Sequence, residues 1–196
     1  VRLGMAVMFL CGCFFACVYC CICQCCCSRC GRDGGDTGGG GGGGGGGNCA
    51  THAEQAKDHS MQEINKRLHA AGAGIGHHLS VSLIWDTEDD LDLRLELPNR
   101  MGHIDCMQKE RGGGILDLDA NNVVMTTRPV ENIFWPHGQQ PPHGHYIAKI
   151  TLFKKKSHEC HWGVKIKLDE EVLIFSGTII TEKDSYTIPF TYPHDN

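Results

Sequence analysis

The sequence predicts an all-β protein: an antiparallel β-sandwich or jelly roll of about eight or nine strands, preceded by a transmembrane helix and a disordered glycine linker. Apolar and polar residues alternate from residue 79 onward, with the period of half-buried strands. Turn-rich stretches separate these segments, and no long helical pattern lies between them. The first 30 residues are apolar and cysteine-rich, and a run of glycines follows.

Residues 1–30 are interpreted as a Cys-rich transmembrane anchor. Leu3 to Cys23 are 21 residues without a formal charge, and a helix of that length spans about 30 Å, the thickness of a bilayer's hydrocarbon core. The alternative is a cleaved secretory signal, whose apolar core is usually shorter. Arg29 and Arg32 follow the stretch, whereas one arginine precedes it. The positive-inside tendency then places the folded domain of this single-pass protein in the cytosol, with the opposite orientation left open.

Cysteines are concentrated in this anchor. Ten of the 13 cysteines lie between Cys11 and Cys30, and adjacent cysteines do not readily pair, which argues against a disulfide framework. Cysteine at a membrane boundary is a target for S-acylation, which increases membrane affinity. The alternatives are cysteine acting as a small apolar residue, or a structural zinc site. The acylation candidates are Cys20, Cys21, Cys23, Cys25, Cys26 and Cys27.

Two segments separate the anchor from the predicted β domain. Residues 31–50 are expected to be a Gly-rich flexible linker, because their unbroken run of ten glycines buries nothing to offset its backbone entropy. Residues 51–74 contain good helix formers with few apolar positions, which predicts a short, marginal helix ended by glycine. The β domain is then expected at residues 75–196.

The β domain contains regularly spaced strand candidates. They are 79–85, 91–97, 102–108, 114–120, 129–135, 144–154, 161–168, 171–180 and 185–192. A hairpin that turns at residues 154–159 would place His145 and His158 at opposite ends and would exclude a zinc site shared by them. Glu131 and Asn132 are interpreted as turn residues whose side chains bond the backbone.

Several blocks of this domain resemble the YfaP-type domain of unknown function. They are SLIWDTEDDLDL at 82–93, GGILDLDAN at 113–121, RPVENIFW at 128–135 and PHGHY at 142–146. The resemblance covers residues 78–180, and Arg94 stands where members of the family commonly have histidine. It implies a β-sandwich and suggests a binding role, often on secreted or surface-associated proteins. It implies no reaction.

Two D-x-D steps are the most chemically suggestive feature of the domain. Strand alternation places Asp90 and Asp92 on one face of their strand, and Asp117 and Asp119 likewise share a face. If the two segments are neighbours, four carboxylates converge, and carboxylate and amide oxygens suit Ca²⁺. The predicted calcium ligands are Asp90, Asp92, Asp117, Asp119 and Asn121. The alternative is a solvated sheet face neutralised by nearby arginines.

Composition and motifs narrow the function classes. The net charge of −5 provides no basic field for a phosphate backbone, so nucleic acid is not expected as a partner. The sequence has no G-x-S-x-G or H-E-x-x-H pattern, and the competing enzymatic class is a metal-dependent hydrolase that uses the acidic residues. The expectation is a membrane-tethered, non-enzymatic module for a protein or glycan ligand. The alternative is a structural component of a surface or virion assembly.

Overall fold

The structure is a computed structural model of the chain, and it describes residues 49–193, with side chains over 60–193. The chain divides into two compact units, Val1–Glu54 and Gln55–Asn196, and the second unit contains the β domain. The predicted anchor, the acylation cysteines and nearly all of the glycine linker lie outside the described residues. Within 49–193, no helix combines the length and apolarity needed to span a membrane.

The predicted helix is confirmed, with its bounds shifted by a few residues. Helix α1 (Cys49–Ala71) begins inside the predicted linker and ends at Gly72. Gly72 has a φ of 69°, a left-handed conformation that glycine adopts without steric cost. The backbone N–H of Ala73 then donates to the carbonyl of Leu68 at 2.9 Å, which closes the last turn.

Ten strands follow the helix and confirm the all-β prediction. They are β1 (Leu79–Trp85), β2 (Asp90–Glu96), β3 (His103–Ile104), β4 (Glu110–Arg111), β5 (Gly114–Leu118), β6 (Val130–Phe134), β7 (Gly144–Lys154), β8 (Cys160–Leu168), β9 (Glu171–Ile179) and β10 (Ser185–Tyr192). The candidate strand 102–108 is reduced to β3, because a turn begins at Cys106.

The strands form two antiparallel sheets that share one apolar core. The six-stranded sheet has the order β4-β5-β6-β1-β8-β9, and the four-stranded sheet has the order β10-β7-β2-β3. Leu91, Leu93 and Leu95 of β2 meet Leu83 of β1 and Ile133 of β6 in this core, and all five are at most 1% exposed. Alternation along each strand supplies these residues, because every second side chain points into the space between the sheets.

Helix α1 covers the other face of the six-stranded sheet. Ile64 is fully buried against Ile84 of β1 and Val130 of β6. The guanidinium of Arg67 donates to the carbonyl of Trp85 at 2.6 Å. Because the core covers one face of β1 and the helix covers the other, all seven residues of that strand are buried. The compact unit that contains the sheets therefore includes this part of α1 and begins at Gln55, not at residue 75.

The segments 145–153 and 161–168 do not form the expected hairpin. β7 pairs with β2 and β10, whereas β8 pairs with β1 and β9, so residues 154–159 cross from one sheet to the other. Buried Asp89 holds this crossing. Its Oδ1 accepts hydrogen bonds from the backbone N–H groups of Lys156 at 2.5 Å and Ser157 at 2.9 Å, and its Oδ2 accepts one from the hydroxyl of Thr87 at 2.5 Å.

Candidate functional site

The site is built around Glu131, which is the second residue of β6 and does not lie in a turn. It shares an interior-facing side of the strand with Ile133, and its side chain is buried, with the residue 1% exposed. Glu131 Oε2 accepts a hydrogen bond from the backbone N–H of Leu93 on β2 at 2.7 Å. β3 pairs with β2 only at Leu95 and Glu96. β3 does not reach Leu93. Glu131 therefore accepts the hydrogen bond from the Leu93 N–H that a neighbouring strand would otherwise accept.

The second carboxyl oxygen, Glu131 Oε1, is buried and has no hydrogen-bond partner. Burial raises the pKa of Glu131 well above its usual value, the hydrogen bond from Leu93 lowers it in part, and the charges of Asp119, Asp92 and Asp90 raise it further. A buried carboxyl in this position requires a proton or a cation to offset its desolvation.

The charges of three aspartates, Asp119, Asp92 and Asp90, contribute to the raised pKa of this carboxyl. Burial, followed by the charges of Asp90, Asp119 and Asp105, raises the pKa of Asp92 from 3.8 to about 6. Burial and the charge of Asp119 likewise raise the pKa of Asp90. We call Asp90, Asp92, Asp119 and Glu131 the acidic site. Two of its members belong to the four-stranded sheet, and the other two lie on or directly after strands of the six-stranded sheet.

The neighbours of the acidic site are partly cationic. Lys109 Nζ lies 3.0 Å from Asp119 Oδ2, and the Asp119 side chain is 10% exposed. Arg94 is directed elsewhere, because its Nη1 lies 3.7 Å from Asp105 and its Nη2 lies 3.0 Å from His103 Nδ1. The thiol of Cys106 is also close, since burial and then the charges of Asp92, Asp105, Asp119 and Glu131 raise its pKa. Lys109 offsets part of the negative charge, and the charges of Lys154, Lys183 and Lys156 offset part of it at Asp90.

The structure places Asp117 away from the acidic site. The register of β5 against β6 shifts between Leu116 and Leu118, which marks a β-bulge. Leu116 packs in the main core while Leu118 packs beneath the helix, so the expectation that strand alternation continues through this segment is wrong. Asp117 accepts hydrogen bonds from the backbone N–H of Gly74 at 2.5 Å and from Asn132 Nδ2 at 2.9 Å. Its oxygens fix the chain after α1 to the sheet.

Asn121 is likewise engaged in holding a loop. It is 2% exposed, and its Nδ2 donates to the carbonyls of Asp89 at 2.9 Å and Thr126 at 3.2 Å. Its Oδ1 accepts a hydrogen bond from the backbone N–H of Thr126 at 2.8 Å. Of the five predicted calcium ligands, Asp90, Asp92 and Asp119 are linked by their charges, which raise the pKa values of Asp90 and Asp92, and their binding of calcium stays a prediction. The sequence analysis missed Glu131 as a site residue. Its position was informative, because Glu131 alternates with Ile133 and Trp135 and is therefore expected on the same inward face of the strand.

The carboxylates of the acidic site do not surround a preformed cavity for a cation. In the part of the chain that the structure describes, no three His, Cys, Asp or Glu side chains are placed so that they could hold a metal ion together. Like charges repel at short range, so a cation at this site would have to draw Asp92 and Asp119 toward the free oxygen of Glu131.

Comparison with known proteins adds no relative. No protein-family model, no curated protein and no solved structure matches this chain. The resemblance to the YfaP-type domain stays a prediction, and the function of the domain has to be inferred from its own residues.

Proposed function

We propose that this chain is a non-enzymatic, membrane-tethered binding module whose acidic site takes Ca²⁺. The observation that supports the calcium site is the buried, unpartnered Oε1 of Glu131, together with the charges of Asp92 and Asp119, which raise the pKa of this carboxyl. An unpaired buried oxygen costs free energy that a bound cation recovers. Carboxylate oxygens are the ligands that Ca²⁺ prefers.

The cation would link carboxylates that belong to different sheets. Asp92 belongs to β2 of the four-stranded sheet, whereas Glu131 belongs to β6 of the six-stranded sheet, and Asp119 directly follows β5. A cation bound by carboxylates from both sheets stabilises their association at the open part of the β2 edge. Ca²⁺ takes about six to eight oxygen ligands, so three carboxylates leave positions for water or for oxygens of a protein or glycan ligand.

Membrane tethering rests on the sequence alone. The uncharged stretch Leu3 to Cys23 is long enough to span a bilayer, and the glycine run that follows gives the attached domain reach. The arginines after the stretch favour a cytosolic domain, and S-acylation of the cysteine cluster would strengthen the attachment. A domain locked into a shell gains little from such a tether, which is why we favour a binding module over a structural part of a surface or virion assembly.

Thermal melting of the full chain in millimolar Ca²⁺ and in chelator tests the calcium site. A ligand that binds only the folded state stabilises it by about 2.7 kcal/mol at a hundredfold excess over Kd, which corresponds to a rise in Tm of several degrees. The Glu131→Gln variant keeps an acceptor for the N–H of Leu93 but loses the charge, and it should lose most of the rise.

The matched control for this experiment is Asp117→Asn. Its side chain bonds Gly74 and Asn132, outside the acidic site, so the variant should keep the full calcium-dependent rise even where its own stability is lower. Equal melting temperatures in Ca²⁺ and chelator would contradict the proposal, as would loss of the rise in Asp117→Asn with retention in Glu131→Gln.

A further inference from the structure

The two sheets end in four edge strands, and three of them are protected against pairing with another chain. β3 and β4 are edges of only two residues each. β10 carries Pro189 in its interior, and proline has no N–H to offer an added strand. The fourth edge is β9, which is nine residues long and contains no proline, lysine or arginine. Among the edge strands of the described residues, β9 is therefore the one that is neither very short nor interrupted by proline.

The side chains of β9 are apolar on both faces. Leu173 and Phe175 pack against the main core, whereas Ile174 packs against the cluster beneath α1. All three are only partly buried, because the sheet ends at this strand. Ile180, immediately after the strand, is 56% exposed. A long apolar strand at the edge of a sheet is the surface to which an additional β-strand binds.

We infer that β9 pairs with β9 of a second copy of this chain, antiparallel about a two-fold axis at Phe175. In an antiparallel pair, two residues that lie directly opposite each other point to the same face of the sheet. In a symmetric pair of identical strands, the two-fold axis must therefore pass between two copies of the same residue and cannot pass between neighbouring residues. Phe175 is the middle residue of β9, and an axis there pairs the whole strand. This register places Ile174 opposite Ser176, and Val172 opposite Thr178, of the second copy.

The charges at the two ends of β9 favour this partner. Glu170 and Glu171 lie at its start, whereas the ammonium group of Lys155 donates to the carbonyl of Ile180 at its other end. The acidic Glu182 at that end is engaged by the backbone N–H of Lys155 at 2.9 Å. Antiparallel pairing brings the acidic start of each copy to the end of the other that carries Lys155 and Glu182, whereas parallel pairing brings the two acidic starts together.

Photo-crosslinking of the full chain in expressing cells tests the pairing. With a photoreactive phenylalanine analogue in place of exposed Ser176, we expect a covalent species of twice the chain mass of 21.5 kDa, and mass spectrometry should locate the crosslink within residues 172–178 of the second copy. The same analogue in place of exposed Thr187, on the proline-containing edge β10, is the matched control and should give no such species.

A pair of substitutions separates pairing from accidental proximity. With the photoreactive group in place of Thr178, Ser176→Lys should reduce the crosslinked dimer at least tenfold, because it places two ammonium groups diagonally across the axis. Ser176→Thr should leave it unchanged, and both variants should melt within a degree or two of the parent. The inference is overturned by the absence of a dimer, by crosslinks to another protein or another part of the chain, or by an equal dimer yield in Ser176→Lys.

Discussion

At the scale of single residues, Glu131 occupies a position whose neighbours on the same strand face are apolar. Its hydrogen bond to the N–H of Leu93 satisfies one oxygen and one backbone donor of an open strand edge. The other oxygen is buried and has no partner. An apolar side chain of similar volume would avoid this desolvation cost but could not accept the hydrogen bond from Leu93. Under the calcium proposal, the carboxyl binds a proton in the absence of metal and a cation in its presence.

Asp92 should make the stability of the protein depend on pH. Its pKa is raised from 3.8 to about 6 in the folded state, so folded protein binds this proton more tightly than unfolded protein. The stabilisation is present below about pH 4 and is lost as the pH rises through about 6. In chelator, we expect Asp92→Asn to melt higher than the parent at pH 7 and to show a smaller decrease in Tm between pH 4 and pH 7.

The control for this pH profile is Glu96→Gln, which removes a carboxylate from the same face of β2 outside the acidic site. It should keep the parent's decrease in Tm. Asp119→Asn should not give the same stabilisation, because it also removes the contact with Lys109 at 3.0 Å. If Tm falls by the same amount between pH 4 and pH 7 in Asp92→Asn and in the parent, charge repulsion at Asp92 does not limit stability.

Asp89 is an acid of the opposite kind, because its buried oxygens are fully hydrogen-bonded. Burial raises its pKa, but the hydrogen bonds from Ser157, Thr87 and Lys156 outweigh burial and lower it overall. Asp89→Asn should reduce the free energy of unfolding by about 2–4 kcal/mol in urea titration, since an amide cannot accept all these bonds. The adjacent Glu88, exposed and 3.8 Å from Lys156, is the control, and Glu88→Gln should change it by less than about 0.5 kcal/mol. Similar values for the two variants would count against this role of Asp89.

At the scale of elements, helix α1 contributes one fully buried apolar residue to its contact with the sheet. Ile64 packs against Ile84 and Val130, with partly buried Leu68 beside it. Ile64→Ala should cost about 2–4 kcal/mol of unfolding free energy, through lost apolar burial and a cavity. Exposed Lys66 on the same helix is the control, because Lys66→Ala removes no buried contact. If both variants unfold at the same urea concentration as the parent, the helix does not contribute to the stability of the β domain.

Strand positions were predictable from the sequence because alternation is a local property. Nearly every candidate strand is present, and β2, with Leu91 and Leu93 inward and Asp90 and Asp92 outward, follows the expected pattern. The choice of sheet for each strand was not predictable, because it depends on contacts between distant parts of the chain. For that reason β7 and β8 were wrongly expected to pair. The faces of β5 were also wrong, since one bulge residue reverses every side chain after it.

The candidate site was half predictable for the same reasons. Asp90, Asp92 and Asp119 were expected to converge on a calcium ion, and that stays a prediction, although the charges of Asp90 and Asp119 raise the pKa of Asp92. The bulge reverses the side chains after Asp117, so Asp117 and Asp119 lie on opposite faces of the strand and not on one. Glu131 was overlooked because its polarity was interpreted as a sign of a turn. An acid at an inward-facing position of an apolar strand indicates a buried carboxyl.

At the scale of the whole molecule, the unit Gln55–Asn196 has its own core and is the part to separate from the predicted anchor. A fragment that begins at residue 75 would lack Ile64 and Arg67, and it would expose the face of the six-stranded sheet that α1 covers. A fragment that begins at residue 55 keeps these contacts and is the appropriate soluble comparison for the full chain.

The membrane tether predicts different partitioning for the full chain and for the fragment 55–196. The 21 uncharged residues from Leu3 to Cys23 are long enough to span a bilayer, so the full chain should stay with membranes through an alkaline wash while the fragment remains in the supernatant. In the matched variant Phe9→Lys with Phe14→Lys, each lysine near the centre of the stretch adds about 2.5–3.5 kcal/mol to the cost of insertion. This variant should move most of the chain to the supernatant. Release of the unmodified full chain by the wash, or retention of the double-lysine variant to the same extent, would show that residues 3–23 do not anchor the protein in the bilayer.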